Sequence, residues 1–412
     1  MRAAQVSKLE GPESIEVVDI PEPQPFTGGV VIDVHAAGVA FPDVLMTRGL
    51  YQLKPQMPYV VGGEVAGVVR SAPEDAHVRP GDRVVALTML GNALAEVAVT
   101  PVQMVFPLPD NIPLEAGAGI VFNDLTVHFC LRNRGRLAEG ESVLVHGAAG
   151  GVGTSTLRMA AALGAGRVIA VVSTPEKAEV ARANGATDVV LTDGWLAAVK
   201  ELTGGRGVDI VLDPVGGDRF TDSVRSLAAG GRLLVVGFTA GEIPTVKVNR
   251  LLLKNVEVVG AAWGEWVTSH PGYLQEQWAE VGPLLAAGKI APPQPVLYPL
   301  DRAADAVGVG GEDGPAEAEG LVAGEVVGPA VERLGRLRGG RPLDALRHLP
   351  RRQAQAGPQQ HEATSRQDIG RQEGRARGRR VGRLQRDDGG AADRDRLPHP
   401  ALLQWRFSLV SS

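Results

Sequence analysis

The segment that most restricts the fold is an apolar run that ends in a glycine-rich turn and continues into a helix-forming sequence. Val143-Leu144-Val145 leads into His146-Gly147-Ala148-Ala149-Gly150-Gly151-Val152-Gly153, and the residues that follow are rich in Ala and Leu. A strand, a turn of small residues and a helix in this order are typical of the first βαβ unit of a dinucleotide-binding fold. Small residues let the backbone approach a pyrophosphate, and the helix N-terminus supplies free N–H groups. The alternative is a glycine-rich loop without a function.

Around this segment, apolar strands alternate with longer helical stretches. The pattern predicts strands at residues 142–146, 167–172, 188–191, 210–212, 232–236 and 256–259, and a helix from about residue 153 to 163. Strands with near-continuous apolar content indicate a parallel sheet that is covered on both faces. We therefore expect an α/β fold with a doubly wound sheet over residues 119–264.

Residues 1–118 have a different pattern, with short β-branched strands and frequent turns. Glycines in Gly63-Glu64-Val65-Ala66-Gly67 mark places where a barrel bends, and Pro80-Gly81-Asp82 makes a turn before the next strand. A small antiparallel barrel is the expected fold. Residues 265–306, with a helix around 275–285 and a strand around 296–298, are expected to return to this barrel.

Residues 307–412 form a tail of different composition. Residues 331–412 hold 18 Arg, no Lys and 9 acidic residues, a net charge of +9 within a chain of net charge −5. One interpretation is a GC-rich reading frame translated out of register, without function or stable structure. The rival interpretation is a basic arm for nucleic acid, but acidic residues are mixed throughout and aromatic residues are nearly absent. Nucleic acid is therefore not an expected partner.

Other features of the composition exclude several classes of protein. No apolar run approaches the roughly 18 residues that a membrane span needs, and the N-terminus lacks the pattern of a secretory signal. The single cysteine, Cys130, cannot form an intramolecular disulfide or a cysteine-based zinc site. The expected compartment is the cytoplasm.

The residue after the second strand of the unit indicates which dinucleotide binds. An acidic residue there would hydrogen-bond the ribose of NAD, but the strand ends at Ser173, with Lys177 and Arg182 close by in sequence. No carboxylate repels a 2′-phosphate at this position, which favours NADP. Lys177 and Arg182 could alternatively belong to an ordinary solvated helix face.

Several motifs together resemble one family. They are the Gly140 to Gly153 segment, Gly205-Arg206-Gly207-Val208-Asp209 running to Asp213-Pro214-Val215-Gly216-Gly217, the Gly231 to Phe238 segment, and Phe41-Pro42-Asp43 with Arg48-Gly49-Leu50-Tyr51. In this order they are similar to the zinc-free quinone oxidoreductase branch of the medium-chain dehydrogenase/reductase superfamily. The resemblance covers residues 1 to about 306.

The resemblance implies a GroES-like β-barrel catalytic domain interrupted by a Rossmann domain that binds NADPH, in a homodimer. It places Gly150, Gly151 and Val152 under the pyrophosphate, and Ser173 and Lys177 at the 2′-phosphate. It also places Gly237-Phe238-Thr239 and Thr126 beside the nicotinamide, although Thr126 could instead cap the next helix.

The resemblance also argues against zinc, because Gly63 stands where zinc-dependent members of the superfamily carry a ligand histidine. Without a Lewis acid a simple alcohol is hard to activate, whereas a quinone or an enone accepts hydride directly. The expected reaction is therefore NADPH-dependent reduction of a quinone or an α,β-unsaturated carbonyl compound. The open alternatives are an enoyl thioester or alkenal reductase and a non-enzymatic protein that binds NADPH or RNA.

Two residues are candidates for catalysis. Tyr51 matches a tyrosine that related enoyl reductases use to protonate the substrate, and Asp43 either orients the pocket or caps a helix beginning at Val44. Tyr51 could equally be an exposed loop residue that packs on its neighbours.

Two departures from the family pattern stand out. Ala40 replaces a common asparagine, and the family's last helix and final strand are not recognisable after Ala306.

Overall fold

The computed structural model describes residues 1–88, 91–312 and 321–323. The N-terminal part consists mainly of strands. These are β1 (Arg2–Val6), β2 (Ile15–Asp19), β3 (Gly29–Gly38), β4 (Tyr59–Val60), β5 (Glu64–Ser71), β6 (Arg83–Leu87), β7 (Val97–Pro101) and β8 (Val105–Pro107), with helix α1 (Phe41–Thr47) between β3 and β4.

Two helices lead from these strands into the nucleotide-binding part. They are α2 (Leu114–Gly117) and α3 (Val121–His128), and a π-helical turn, Phe129–Arg134, follows α3. The alternating unit then comprises β9 (Ser142–His146), α4 (Gly151–Ala162), β10 (Arg167–Val172), α5 (Pro175–Ala183), β11 (Asp188–Leu191), α6 (Trp195–Leu202), β12 (Val208–Asp213), α7 (Phe220–Ser226), β13 (Leu227–Val235), α8 (Asn249–Lys254) and β14 (Glu257–Gly260).

The chain then returns to the barrel. The returning elements are α9 (Trp263–Ser269), α10 (Tyr273–Ala286), β15 (Val296–Tyr298), α11 (Ala303–Glu312) and β16 (Leu321–Ala323).

The six strands β9 to β14 form one parallel sheet with the order β11-β10-β9-β12-β13-β14. The order reverses between β9 and β12, so the crevice beyond the carboxyl ends of these two strands is the expected position of a ligand in a doubly wound sheet. Residues on both faces are buried, including Leu144, Ile169 and Leu212. The predicted α/β doubly wound fold is confirmed.

The barrel is built around β3 and β5, which pair antiparallel along most of their length. The main sheet has the order β15-β16-β3-β5-β6-β8, with β7 also pairing with β3, and β2-β1-β4 forms a second small sheet. Gly67 allows the close approach, because a Cβ atom there would lie 2.1 Å from the carbonyl oxygen of Asp33. The glycine pattern that predicts a barrel is explained by such contacts.

The expectation that the chain lacks the final helix and strand is wrong. Helix α11 continues past Ala306 to Glu312, and β16 pairs with β15 on one side and with β3 on the other. Ala303, Ala306 and Val307 have the i, i+3, i+4 spacing of a helix face and are fully buried in the barrel core. The three glycines at 308, 310 and 311 obscure this spacing in the sequence.

The other predicted elements agree closely with the structure. Strands β9, β10, β11 and β15 have the predicted bounds, whereas β13 begins at Leu227, five residues before its predicted start. Its first residue pairs with Val208, and an irregularity in register separates this pair from the rest of the ladder.

The tail predictions for residues 313–320 and 324–412 lie outside the described residues. Among the helices that the structure describes, none is long and apolar enough to cross a membrane.

The packing of α11 on the barrel core can be tested by substitution. Val307→Asp places a charge in the barrel core and is expected to lower the free energy of unfolding by about 3 kcal/mol or more. Asp305→Asn on the exposed side of the same helix is the control, and its effect should stay within about 1 kcal/mol. Urea unfolding measures both. Equal stability of Val307→Asp and the wild type would show that α11 does not pack on the barrel.

Candidate functional site

The glycine-rich turn brings the N-terminus of α4 to the crevice at the sheet's switch point. Gly147 has a positive φ of 57°, and Gly150 is the residue before the helix. A Cβ atom on Gly153 would lie 2.2 Å from the carbonyl oxygen of Gly147, so only glycine lets the helix sit directly on the turn. The backbone N–H groups of Gly151 and Val152, in the first turn of α4, have no acceptor within the helix. This arrangement suits the pyrophosphate of a dinucleotide.

Ser173 lies beyond the end of β10, where the second strand of the unit reaches the same edge of the sheet. It is exposed, and Thr174 caps α5 by accepting a hydrogen bond from the backbone N–H of Lys177 at 3.3 Å. The Lys177 side chain is half-buried beside this cap. Arg182 instead pairs with Glu179 at 2.6 Å on the exposed face of α5, as the alternative of an ordinary solvated face expects.

The loop after β13 packs on the turn after β12. The backbone N–H of Thr239 donates to the carbonyl oxygen of Pro214 at 3.1 Å, which joins this loop to the turn after β12. A Cβ atom on Gly216 would lie 2.9 Å from the Phe238 ring, so the ring rests on that turn while remaining 39 % exposed. Gly237 passes close to Pro214.

Helix α3 carries Thr126. Its hydroxyl donates to the carbonyl oxygen of Phe122 at 2.7 Å within the same helix, and the residue is nearly buried. Thr126 lies inside α3 and does not cap a following helix.

Asp43 and Tyr51 lie at and just beyond α1, in the barrel part. Helix α1 begins at Phe41, so Asp43 is in its first turn, where its carboxylate accepts a hydrogen bond from the Ala40 N–H at 2.8 Å. Burial raises the pKa of Asp43 to about 7, although this hydrogen bond and one from the Gly62 N–H lower it. The Ala40 side chain is a methyl group and makes no polar contact, so the residue bonds only through its backbone: its N–H donates to the Asp43 carboxylate, and its carbonyl oxygen accepts from the Asp43 N–H at 2.9 Å.

Tyr51 is half-buried and packs against the barrel core. Burial raises the pKa of its phenol, and the charges of Asp43 and Glu265 raise it further. The phenol therefore stays protonated at neutral pH and can act as a hydrogen-bond donor. Asp43 lies in the first turn of α1 and Tyr51 lies four residues beyond its end, so the two candidate residues share one region of the barrel.

Two buried carboxylates were not singled out by the sequence. Glu64 on β5 accepts a hydrogen bond from the Phe122 N–H at 2.9 Å, and so joins the barrel to the N-terminus of α3. Burial raises its pKa to about 8, and the charges of Asp43 and Asp124 add to that rise. Asp124 on α3 pairs with Arg158 on α4. Nothing in the sequence signals these contacts, because they join residues far apart along the chain.

Two family models match the chain. Residues 27–110 match the alcohol dehydrogenase GroES-like domain, and residues 151–287 match the zinc-binding dehydrogenase model. Among curated proteins, the rat quinone oxidoreductase-like protein 2 is 35 % identical over 309 residues, which is 74 % of this chain and 87 % of the relative. The chain belongs to the quinone oxidoreductase branch of the medium-chain dehydrogenase/reductase superfamily.

Solved structures agree with the assignment to this branch. A probable oxidoreductase from Mycobacterium abscessus is 43 % identical with a TM-score of 0.68, over 75 % of this chain and 94 % of that one. The Escherichia coli quinone oxidoreductase, crystallised with NADPH, is 30 % identical with a TM-score of 0.68, over 75 % of this chain and 96 % of that one.

One of the two matching models is described as a zinc-binding dehydrogenase, which raises the question of whether this chain has side chains that could bind zinc. In the part of the chain that the structure describes, no three His, Cys, Asp or Glu side chains gather closely enough to hold a metal ion. Gly63 offers no side chain, and its neighbour Glu64 is already bonded to α3.

The raised pKa of Glu64 predicts a dependence of stability on pH. Between about pH 4.5 and 8 the carboxyl is protonated in the folded chain and ionised in the unfolded one, so stability falls as pH rises, by up to about 1.4 kcal/mol per pH unit. Glu64→Gln keeps an oxygen acceptor for the Phe122 N–H and removes this titration. Melting temperatures from pH 5 to 8 should therefore decline less steeply in the variant than in the wild type.

The exposed Glu139→Gln is the matched control, with the wild-type slope expected. Identical slopes for Glu64→Gln and the wild type would mean that Glu64 is ionised in the folded protein.

Proposed function

We propose that this chain transfers hydride from NADPH to a quinone or an α,β-unsaturated carbonyl acceptor without zinc. The proposal depends on one observation: the N-terminus of α4, which no side chain caps, lies at the switch point. At the end of β10 the chain has Ser173 in place of the acidic residue that would favour NAD. The proposed division follows the expected domain limits, with residues 119–264 binding the cofactor and residues 1–118 and 265–306 forming the catalytic part. No role is proposed for residues 307–412 beyond the structural one of α11 and β16.

The chain is an NADP(H)-binding oxidoreductase. Gly150, Gly151 and Val152 would hold the pyrophosphate through backbone N–H groups, and Ser173 with Lys177 would receive the 2′-phosphate. Gly237, Phe238, Thr239 and Thr126 are proposed to flank the nicotinamide. A quinone oxidoreductase from E. coli with this fold was crystallised with NADPH, which supports the same cofactor here.

The proposed acceptor follows from the residues at the metal position of the superfamily. Hydride transfer involving a simple alcohol benefits from a Lewis acid that activates the oxygen, and Gly63 supplies no ligand for one. When bound, NADPH supplies a hydride, and an electron-poor quinone or enone accepts it directly. The names of the curated relatives, quinone oxidoreductase and quinone oxidoreductase-like protein 2, support a quinone.

Tyr51 is proposed to complete the reaction as proton donor. Hydride addition leaves a negative charge on the acceptor, and the neutral Tyr51 phenol can hydrogen-bond the developing oxyanion or donate its proton to the substrate. Solvent then reprotonates the phenolate. Asp43 is proposed as a positioning residue, because its carboxyl holds the start of α1, the helix that precedes Tyr51.

A donor at Tyr51 also favours the alternative of an enal or enoyl thioester reductase. In an enal or enoyl thioester the hydride adds to the β-carbon, and a positioned acid must then protonate the neighbouring α-carbon. A quinone oxygen instead exchanges protons readily with water. Quinone and enal acceptors therefore differ in how strongly they depend on Tyr51.

A homodimer is proposed from the free edge of the parallel sheet. Within the described residues β14 has a partner on one side only. The neighbouring segment, in and beside α8, holds three apolar side chains that are each more than 70 % exposed: Val248, Leu252 and Leu253. Exposed apolar side chains grouped in this way are typical of a protein–protein interface.

The proposed compartment is the cytoplasm, because the single cysteine, Cys130, is buried and unpaired.

Cofactor preference is the first test. NADPH should bind at least about tenfold more tightly than NADH, about 1.4 kcal/mol, because Ser173 leaves room for the 2′-phosphate that Lys177 can pair with. Ser173→Asp should reverse the order, since its carboxylate repels the phosphate and bonds the free ribose of NADH. Titration calorimetry with both cofactors measures this. Equal dissociation constants in the wild type would remove the assignment of the 2′-phosphate site.

The acceptor is tested by NADPH oxidation against quinones, enals and crotonyl thioesters. Quinone turnover should persist after dialysis against a chelator, and elemental analysis should find no stoichiometric zinc. Tyr51→Phe should lower kcat on enals and thioesters by about 10² or more, with a smaller loss on quinones. Loss of all activity with the chelator would refute zinc-independent catalysis, and equal losses on every acceptor would refute the proton-donor role.

A further inference from the structure

Asn123 of α3 lies next to the glycine-rich turn, and the sequence does not indicate a role for it. Its side chain is half-buried, and a Cβ atom on Gly151 would lie 2.9 Å from its Nδ2 and 3.3 Å from its Oδ1. The amide therefore lies against the first residue of α4. Among the described residues no protein group forms a hydrogen bond with it.

The position of Asn123 is fixed by its neighbours on both sides. The preceding residue, Phe122, donates its N–H to the buried carboxylate of Glu64. The following residue, Asp124, is fully buried and accepts hydrogen bonds from the Ser155 hydroxyl at 2.5 Å and from Arg158 at 3.3 Å.

These contacts lock α3 onto α4. Ser155 and Arg158 both belong to α4, and Arg158 also donates to Asn184 at the end of α5 at 2.9 Å. The helix that carries Asn123 is thus held to the helix whose N-terminus faces the crevice. A mobile surface amide would lose side-chain entropy on binding an anion, whereas this one is held in place by its own helix.

The chemistry of the amide suits an anion at this place. The free N–H groups at the start of α4 already favour negative charge, and a carboxamide adds a donor without adding charge. Thr126 lies three residues further along α3, on the same side of the helix, so the two residues can contact successive parts of one extended ligand.

We propose that Asn123 is a cofactor-contact residue that donates a hydrogen bond from Nδ2 to the diphosphate of NADPH at the N-terminus of α4. This role rests on the proposed function, since it needs NADPH in the crevice. It gives α3 a direct part in binding the diphosphate, in addition to the backbone of the glycine turn.

The test compares two ligands, NADPH and adenosine 2′-monophosphate, which has the 2′-phosphate but no diphosphate. Asn123→Ala should weaken NADPH about tenfold, in keeping with the loss of a hydrogen bond to a charged group. Asn123→Asp should weaken it further, about a hundredfold, because its charge faces the diphosphate. Neither change should move the dissociation constant of adenosine 2′-monophosphate by more than about twofold. Titration calorimetry gives each value without turnover.

Two control variants accompany the test. Asn133→Ala removes a half-buried amide from the turn just after α3, where Asn133 faces Tyr273 and Glu276, and should leave both ligands unchanged. Ser173→Asp should weaken adenosine 2′-monophosphate, which confirms that this ligand reports on the 2′-phosphate site. Melting temperatures of all variants show whether each is folded, and Asn123→Ser replaces Asn123→Ala if the latter unfolds.

The outcomes are distinct. Wild-type NADPH affinity in Asn123→Ala, or an equal loss of both ligands, overturns the role of Asn123 and leaves the proposed function standing. A wild-type protein that binds neither ligand overturns both proposals.

Discussion

The close contact between α4 and the turn before it is the constraint on which the nucleotide-binding part depends. A Cβ atom on Gly153 would collide with the Gly147 carbonyl oxygen, so a single larger residue would push the helix away from the sheet. The helix would then lose its contacts with α3, and its free N–H groups would point away from the crevice. The fold and the binding chemistry therefore share one steric requirement, which is why this short segment restricts the chain more than its overall composition does.

The same segment shows how much the sequence can predict. Strands β9 to β11 follow directly from their apolar content, and the residues proposed for the site beside them, from Gly150 to Lys177, lie at the edge where a doubly wound sheet is expected to hold its ligand. Such positions are set by local order along the chain. Helix α11 is not predicted from the sequence because glycines, which have low helix propensity, follow its apolar face. Only the structure shows that this face packs on the barrel core.

Contacts between distant residues explain what could not be predicted of the site. Glu64 is far from Phe122 along the chain, and Asp124 is far from Arg158. Helix and strand periodicity relates only residues a few positions apart, so it does not predict these contacts. Nothing in the neighbouring sequence distinguishes a buried carboxylate that joins two distant elements from a solvated one. The burial of Asp43, Glu64 and Asp124 emerges only when the barrel and α3 are brought together, and so do the raised pKa values that follow from it.

The insertion of β16 between β15 and β3 has a consequence for biosynthesis. Val322 pairs with Gly38, so the sheet that begins near the amino end is completed only by residues close to the end of the described chain. The parallel sheet needs nothing beyond Gly260 to pair all its strands. During translation the nucleotide-binding part can therefore fold while the end of β3, at Ala37 and Gly38, is paired with β5 but not yet with β16. Contacts of such high sequence separation form slowly, so chaperones that cover exposed strand edges would act on this stage.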